Sequence, residues 1–113
     1  MSSFSGGILQ TISGSQSFNY VRETDTYSVQ DTDFVIEMAQ LSGTKTVGLP
    51  ALAETELGRT IIVVNTGLGT SRVRGASPTE TIIGQTQINL FGAYKSLTVI
   101  RGQSQWITIG ESG

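Results

Sequence analysis

The sequence predicts an all-β fold, a compact antiparallel β-sandwich or barrel. Three observations carry that reading. Short runs of β-branched and aromatic residues recur at intervals of roughly ten residues, each bounded by Gly, Pro, Asp or Ser. Charged residues make up only 14% of the 113-residue chain, against about 25% in an average domain. Ser, Thr, Gly, Asn and Gln fill the difference, a mixture that suits turns and hydrogen-bonding sheet faces.

The elements follow in order. Residues 1–17 read as an extended N-terminal arm: Ser, Gly, Thr and Gln dominate, with Phe4, Ile8, Leu9 and Ile12 spaced among them and Gly6-Gly7 and Gly14 as punctuation. Such a segment cannot build a core of its own, so a neighbouring copy or a larger assembly is expected to hold it. Residues 18–113 form the β domain. Phe18–Arg22 and Tyr27–Val29 open it, and Phe34–Met38 is a strand after the Asp31-Thr-Asp33 turn. Ser42-Gly43 turns the chain into Thr44–Leu49, and Pro50, which cannot donate to a ladder, ends that strand. One short helical turn is expected near 51–57, with Gly58 as its C-terminal cap.

Ile61-Ile-Val-Val64 is a continuous apolar run, the pattern of a central strand buried on both faces. Thr66–Gly69 reads as a hairpin turn. Arg72–Arg74, Thr81–Ile83 and Thr86–Leu90 are further short strands, and Leu97–Ile100 closes on Trp106–Ile109 as a final hairpin.

Composition narrows the chemistry. The net charge is −2, whereas nucleic-acid binding calls for a basic face. The chain has no Cys and no His, which removes disulfides, thiolate metal sites and the commonest general base. Ser and Thr therefore lack an imidazole to activate them. No run approaches the ~20 apolar residues of a membrane helix, and Met1–Gly7 has no basic leader pattern. No cofactor, no nucleic acid and no membrane partner is expected, and no catalysis.

Four motifs have simpler structural readings. Gly67-Leu68-Gly69 begins like a dinucleotide fingerprint, but Arg72 occupies the third glycine position, and Gly75 and Pro78 forbid the helix that would hold a pyrophosphate. Asp31 and Asp33, with Asp25 nearby, lack the further oxygens of a calcium loop and read as turn caps. Glu54 and Glu56 fall on a loop, with nothing to set them across a cleft as a hydrolase pair. Among Tyr20, Phe91, Tyr94 and Trp106, aromatic rings of the kind that stack on sugars, Trp106 alternates with strand residues and belongs in a core.

An ordered set of motifs adds a resemblance. Tyr27-x-Val29, Asp33-Phe-Val-Ile36, Thr46-Val-Gly-Leu-Pro50, Gly58-Arg59-x-Ile-Ile-Val-Val-Asn65-x-Gly67, Ile83-Gly84, Ile88-x-Leu90, Gly92-Ala-Tyr94-x-Ser96-Leu-Thr-Val-Ile100 and Gln105-Trp106 together resemble a small trimer-forming β module of tailed-bacteriophage virion proteins. The resemblance spans residues 27–109 and covers capsid decoration (cement), head-fibre and tail-fibre proteins. With no collagen-like or heptad shaft before the domain, it implies a homotrimeric decoration protein on the capsid exterior. Its partners would be itself and the major capsid protein, and its role would be to stabilise the head against internal DNA pressure. Phe4, Ile8, Leu9 and Ile12 would anchor the arm to the capsid or to a neighbour, and Ile88, Leu90, Phe91 and Tyr94 would form the trimer interface. The alternative within the resemblance is a tail-fibre or spike component that binds a host-surface receptor.

Overall fold

The structure, a computed structural model, describes residues 19–109. The arm residues Phe4, Ile8, Leu9 and Ile12 lie outside that span. Among the described residues nine short strands follow one another: β1 (Asn19–Glu23), β2 (Tyr27–Ser28), β3 (Asp33–Met38), β4 (Thr44–Gly48), β5 (Thr60–Asn65), β6 (Thr70–Arg74), β7 (Gln87–Phe91), β8 (Lys95–Arg101) and β9 (Trp106–Thr108). They form a five-stranded sheet, β1-β3-β5-β8-β9, and a four-stranded sheet, β2-β4-β6-β7. The all-β expectation holds.

The strand directions depart from the antiparallel pattern expected. β1 runs parallel to β3 and β3 to β5, while β2 runs parallel to β4 and β4 to β6. Only β5–β8, β6–β7 and β8–β9 are antiparallel. The cause is the path of the chain. From β1 to β6 it changes sheet at every connection, so each sheet receives its strands in one direction. A parallel pair needs a crossover, and here a strand of the opposite sheet supplies it. Thr66–Gly69 is accordingly an arch between sheets and not a hairpin. Gly, Ser and Asn serve both kinds of turn, so sequence does not separate them. Thr81–Ile83 is no strand either: Ile82 makes only isolated bridges to Gln85 and Trp106.

This winding gives the molecule two ends. The connections 24–26, 39–43, 66–69 and 92–94 lie at one, called upper below, and 29–32, 49–59, 75–86 and 102–105 lie at the other. The helical turn expected near 51–57 is a single 3-10 turn, Leu52–Glu54, stopped by an extended Thr55 whose hydroxyl donates back to the Ala51 carbonyl at 2.7 Å.

Alternation builds the core. Ile36 and Met38 of β3, Ile61 and Val63 of β5, Leu97 and Val99 of β8 and Trp106 of β9 point inward from one sheet. Val47, Val73, Ile88 and Leu90 meet them from the other, and Val29, Leu49 and Ile82 close the lower end. Burial of each such side chain stabilises the fold by about 1.5–3 kcal/mol. Ile62 and Val64 are only half-buried, so β5 is central in its sheet yet hides one face fully, not two.

Two of the lower connections, 49–59 and 75–86, are long and lack a ladder, and side chains help to satisfy the backbone of this end. The Arg101 guanidinium donates to the carbonyls of Leu52 and Gln103, each at 2.8 Å. Arg59 donates to those of Gln30 (2.9 Å) and Asp33 (2.7 Å), and the Glu80 carboxylate accepts the Leu52 N–H at 2.9 Å.

The upper arches touch each other backbone to backbone. A Cβ on Gly67 would sit 1.9 Å from the Gln40 carbonyl oxygen, and one on Gly69 would sit 2.7 Å from that of Gly43. Substitution Gly67→Ala must push the two arches apart and is expected to cost at least about 2 kcal/mol. Urea denaturation measures this, and an unchanged midpoint would show that the arches need no such contact.

Candidate interaction surface

The upper end is organised around Asn65, the last residue of β5, fully buried at the point where β5 leaves its sheet. Its amide nitrogen donates to the carbonyls of Gly92 (2.6 Å), Gly69 (2.8 Å) and Leu90 (3.4 Å), and its Oδ1 accepts the Ser71 hydroxyl at 2.9 Å. Ser71 also receives Nε2 of the buried Gln40 at 3.3 Å, and the same amide reaches the Thr70 carbonyl at 2.7 Å. The Tyr94 N–H donates to the Asn65 carbonyl at 2.5 Å. One polar cluster therefore ties the arches 39–43 and 66–69 to the turn 92–94.

Each of these three connections presents one large apolar side chain to solvent: Leu41 at 77% exposure, Leu68 at 75% and Tyr94 at 80%, with Phe91 at 67% at the adjoining end of β7. Backbone bonds join the two arches, from the Gly69 N–H to Gln40 and from the Thr70 N–H to Gly43, and the Tyr94 N–H ties the third connection to Asn65, so these exposed side chains share the upper end, termed its ridge. Tyr94 holds φ at +67°, a left-handed conformation disfavoured for a side chain of this size. Large apolar side chains gathered at one exposed end make it the candidate interaction surface.

The residues expected at a trimer interface divide. Ile88 and Leu90 face inward and are spent on the core, at 6% and 3% exposure. Phe91 and Tyr94 lie on the ridge. Gln87 and Asn89 alternate with the buried pair and take the outward face. Leu41 and Leu68 escaped the sequence reading. Their signal was an apolar residue in the middle of a turn, Gln40-Leu41-Ser42-Gly43 and Gly67-Leu68-Gly69, where a polar one is usual.

The remaining polar candidates are engaged in structure or exposed. Asp33 is buried, and its Oδ2 accepts the Tyr27 hydroxyl at 2.6 Å and the Gln30 N–H at 2.8 Å. Asp25 pairs with Lys45 at 3.3 Å and caps the Thr26 N–H at 2.7 Å. Glu54 and Glu56 are exposed on the lower end. Trp106 is fully buried. Among the described residues no group of three acidic side chains is placed to hold a metal ion. On the outer face of the five-stranded sheet Glu37 accepts hydrogen bonds from Thr66 (2.6 Å), from Tyr20 and from Arg22 (3.4 Å). Those from Thr66 and Tyr20 are the main reason its carboxyl is held below the usual range.

Burial, and then the hydrogen bond to Asp33, push the Tyr27 hydroxyl up to about 12 from an ordinary value of about 10. A raised phenol contributes stability that is fully present below its unfolded value and lost as pH rises through the folded one. Stability is thus expected to fall between about pH 10 and 12, and less steeply in Tyr27→Phe. That variant should also lose about 2 kcal/mol at neutral pH, because a buried carboxylate loses a donor. Parallel curves for the two proteins would remove Tyr27 from the account. Replacement Asn65→Leu strands several buried carbonyls and is expected to cost about 3 kcal/mol, read as a lower melting temperature; an unshifted transition would mean that the upper cluster is not needed.

A scan against protein-family models and a search of curated proteins gave no match.

Proposed function

We propose that this chain is a virion structural protein of the tailed-phage type, most specifically a homotrimeric decoration protein that clamps the assembled head without catalysis. The observation that carries the proposal is the ridge of Leu41, Leu68, Phe91 and Tyr94. It is a surface suited to binding, set on a sandwich-like frame whose acidic side chains are engaged in structure or exposed. The ordered motifs of residues 27–109 add the virion context. In this reading the arm anchors Phe4, Ile8, Leu9 and Ile12 and the ridge share the contact, and repetition of small burials over a lattice supplies strength through multivalency.

A second reading has an observation of its own. The aromatics Phe91 and Tyr94 lie at the upper end, whereas β1, where residues 1–18 join, begins at the lower one. An aromatic cluster distal to the attachment point suits a tail-fibre tip that binds a host-surface receptor.

One experiment separates them. Purified chain is incubated with emptied, expanded phage heads and, in parallel, with host cells. Decoration is expected to give head binding that falls at least about tenfold in a Leu41→Ser/Leu68→Ser variant and again without residues 1–17. Binding to cells but not to heads, from folded protein, would replace decoration with receptor binding.

A further inference from the structure

The outward face of the four-stranded sheet carries Arg72 and Arg74, two positions apart on β6. Their register partners are Thr46 and Gly48 on β4 and Asn89 and Gln87 on β7. The outward positions of this sheet hold no acidic residue. The ion pairs among the described residues are Arg22–Glu37 and Lys45–Asp25, so neither arginine has a carboxylate. Arg72 Nε is enclosed without an acceptor, and Asn89 Oδ1, on the neighbouring strand, is enclosed without a hydrogen-bond donor. Arg74 also borders a groove whose walls include Pro50, Ala76 and Pro78.

The complementary feature is the β4–β5 connection. Glu54 and Glu56 are exposed, Leu57 is 66% exposed beside them, and Asp31 borders the same hollow. None of these carboxylates belongs to an ion pair of the described residues. In a chain of net charge −2, two arginines on one face, and carboxylates with a protruding leucine on one loop, thus stand outside the ion pairs of the described residues.

We propose that the Arg72/Arg74 face docks the Glu54–Leu57 loop of a second copy of this chain. Leu57 fills the groove between Pro50 and Pro78, and Glu54 and Glu56 meet the two guanidinium groups, whose planar donors match carboxylates. Made one way round, a loop-to-face contact joins the copies head to tail into a ring where the rotation closes; made reciprocally about a two-fold axis it gives a dimer. A ring about an axis along the strands turns every Leu41–Leu68–Tyr94 ridge to the same side. The inference rests on the reading of the chain as a self-associating module and names the surfaces that do it.

Sedimentation equilibrium of the full chain tests it. The chain is expected to be larger than a monomer, and more weakly associated at high salt. The reversals Arg72→Glu/Arg74→Glu and Glu54→Lys/Glu56→Lys should each weaken association at least about tenfold, with urea midpoints near that of the parent as a control for folding. The chain carrying both reversals should assemble again, since its loop is then basic and its face acidic. A parent that is monomeric throughout, reversals that assemble like the parent, or a double reversal that stays apart would overturn the proposal. Head binding is scored separately: a chain that assembles as described but ignores heads fails as a decoration protein only, and a monomer that binds heads fails this inference only.

Discussion

The carboxamide of Asn65 sits where three connections converge, and the upper end depends on it. At the top of a wound pair of sheets the ladder stops, yet part of the backbone stays turned away from water. Carbonyls of Gly69, Leu90 and Gly92 point into the interior, and each would be costly to leave unbonded. One amide nitrogen serves all three, while its oxygen accepts Ser71, which is bonded in turn to Gln40. Gly67 and Gly69 let the arches close to the distance at which this works. The polar cluster and the close backbone contact meet in the same two arches.

The winding explains how short strands make a stable unit without helices on their faces. Parallel pairs normally need long crossovers. Here each crossover is itself a strand of the facing sheet, so the winding that makes the pairs parallel also places an inward row from each sheet over the same core. The two ends then solve their backbone bonding differently. The upper arches are short and use buried amides and glycines. Two of the lower loops are long, and that end uses the guanidinium groups of Arg59 and Arg101 and the carboxylate of Glu80. Those arginines are occupied by structure, whereas Arg72 and Arg74 stand outside the ion pairs of the described residues.

The surface divides in the same manner. The upper end displays Leu41, Leu68 and Tyr94, each on a connection whose backbone is hydrogen-bonded to a neighbour. An interaction surface gains from such support, because less loop freedom is left to be lost on binding. The lower end and the arginine-bearing face carry complementary charge, which favours register and partner choice more than raw affinity.

The sequence by itself determined the all-β class, the places of most strands, the core position of Trp106 and the turn role of Asp33, because a period of two and the turn residues are local properties. It also marked Phe91 and Tyr94, though not their surroundings. Tertiary structure decided which sheet each strand joins and in which direction. Alternation tells inside from outside but not which neighbour a strand meets, and Gly or Ser fits an arch as well as a hairpin. It decided that Ile88 and Leu90 serve the core, since an inward row looks the same in sequence whether it faces its own chain or another. And it decided the meaning of Asn65, Leu41 and Leu68: a buried amide and an exposed leucine acquire their roles only where separate connections meet in space.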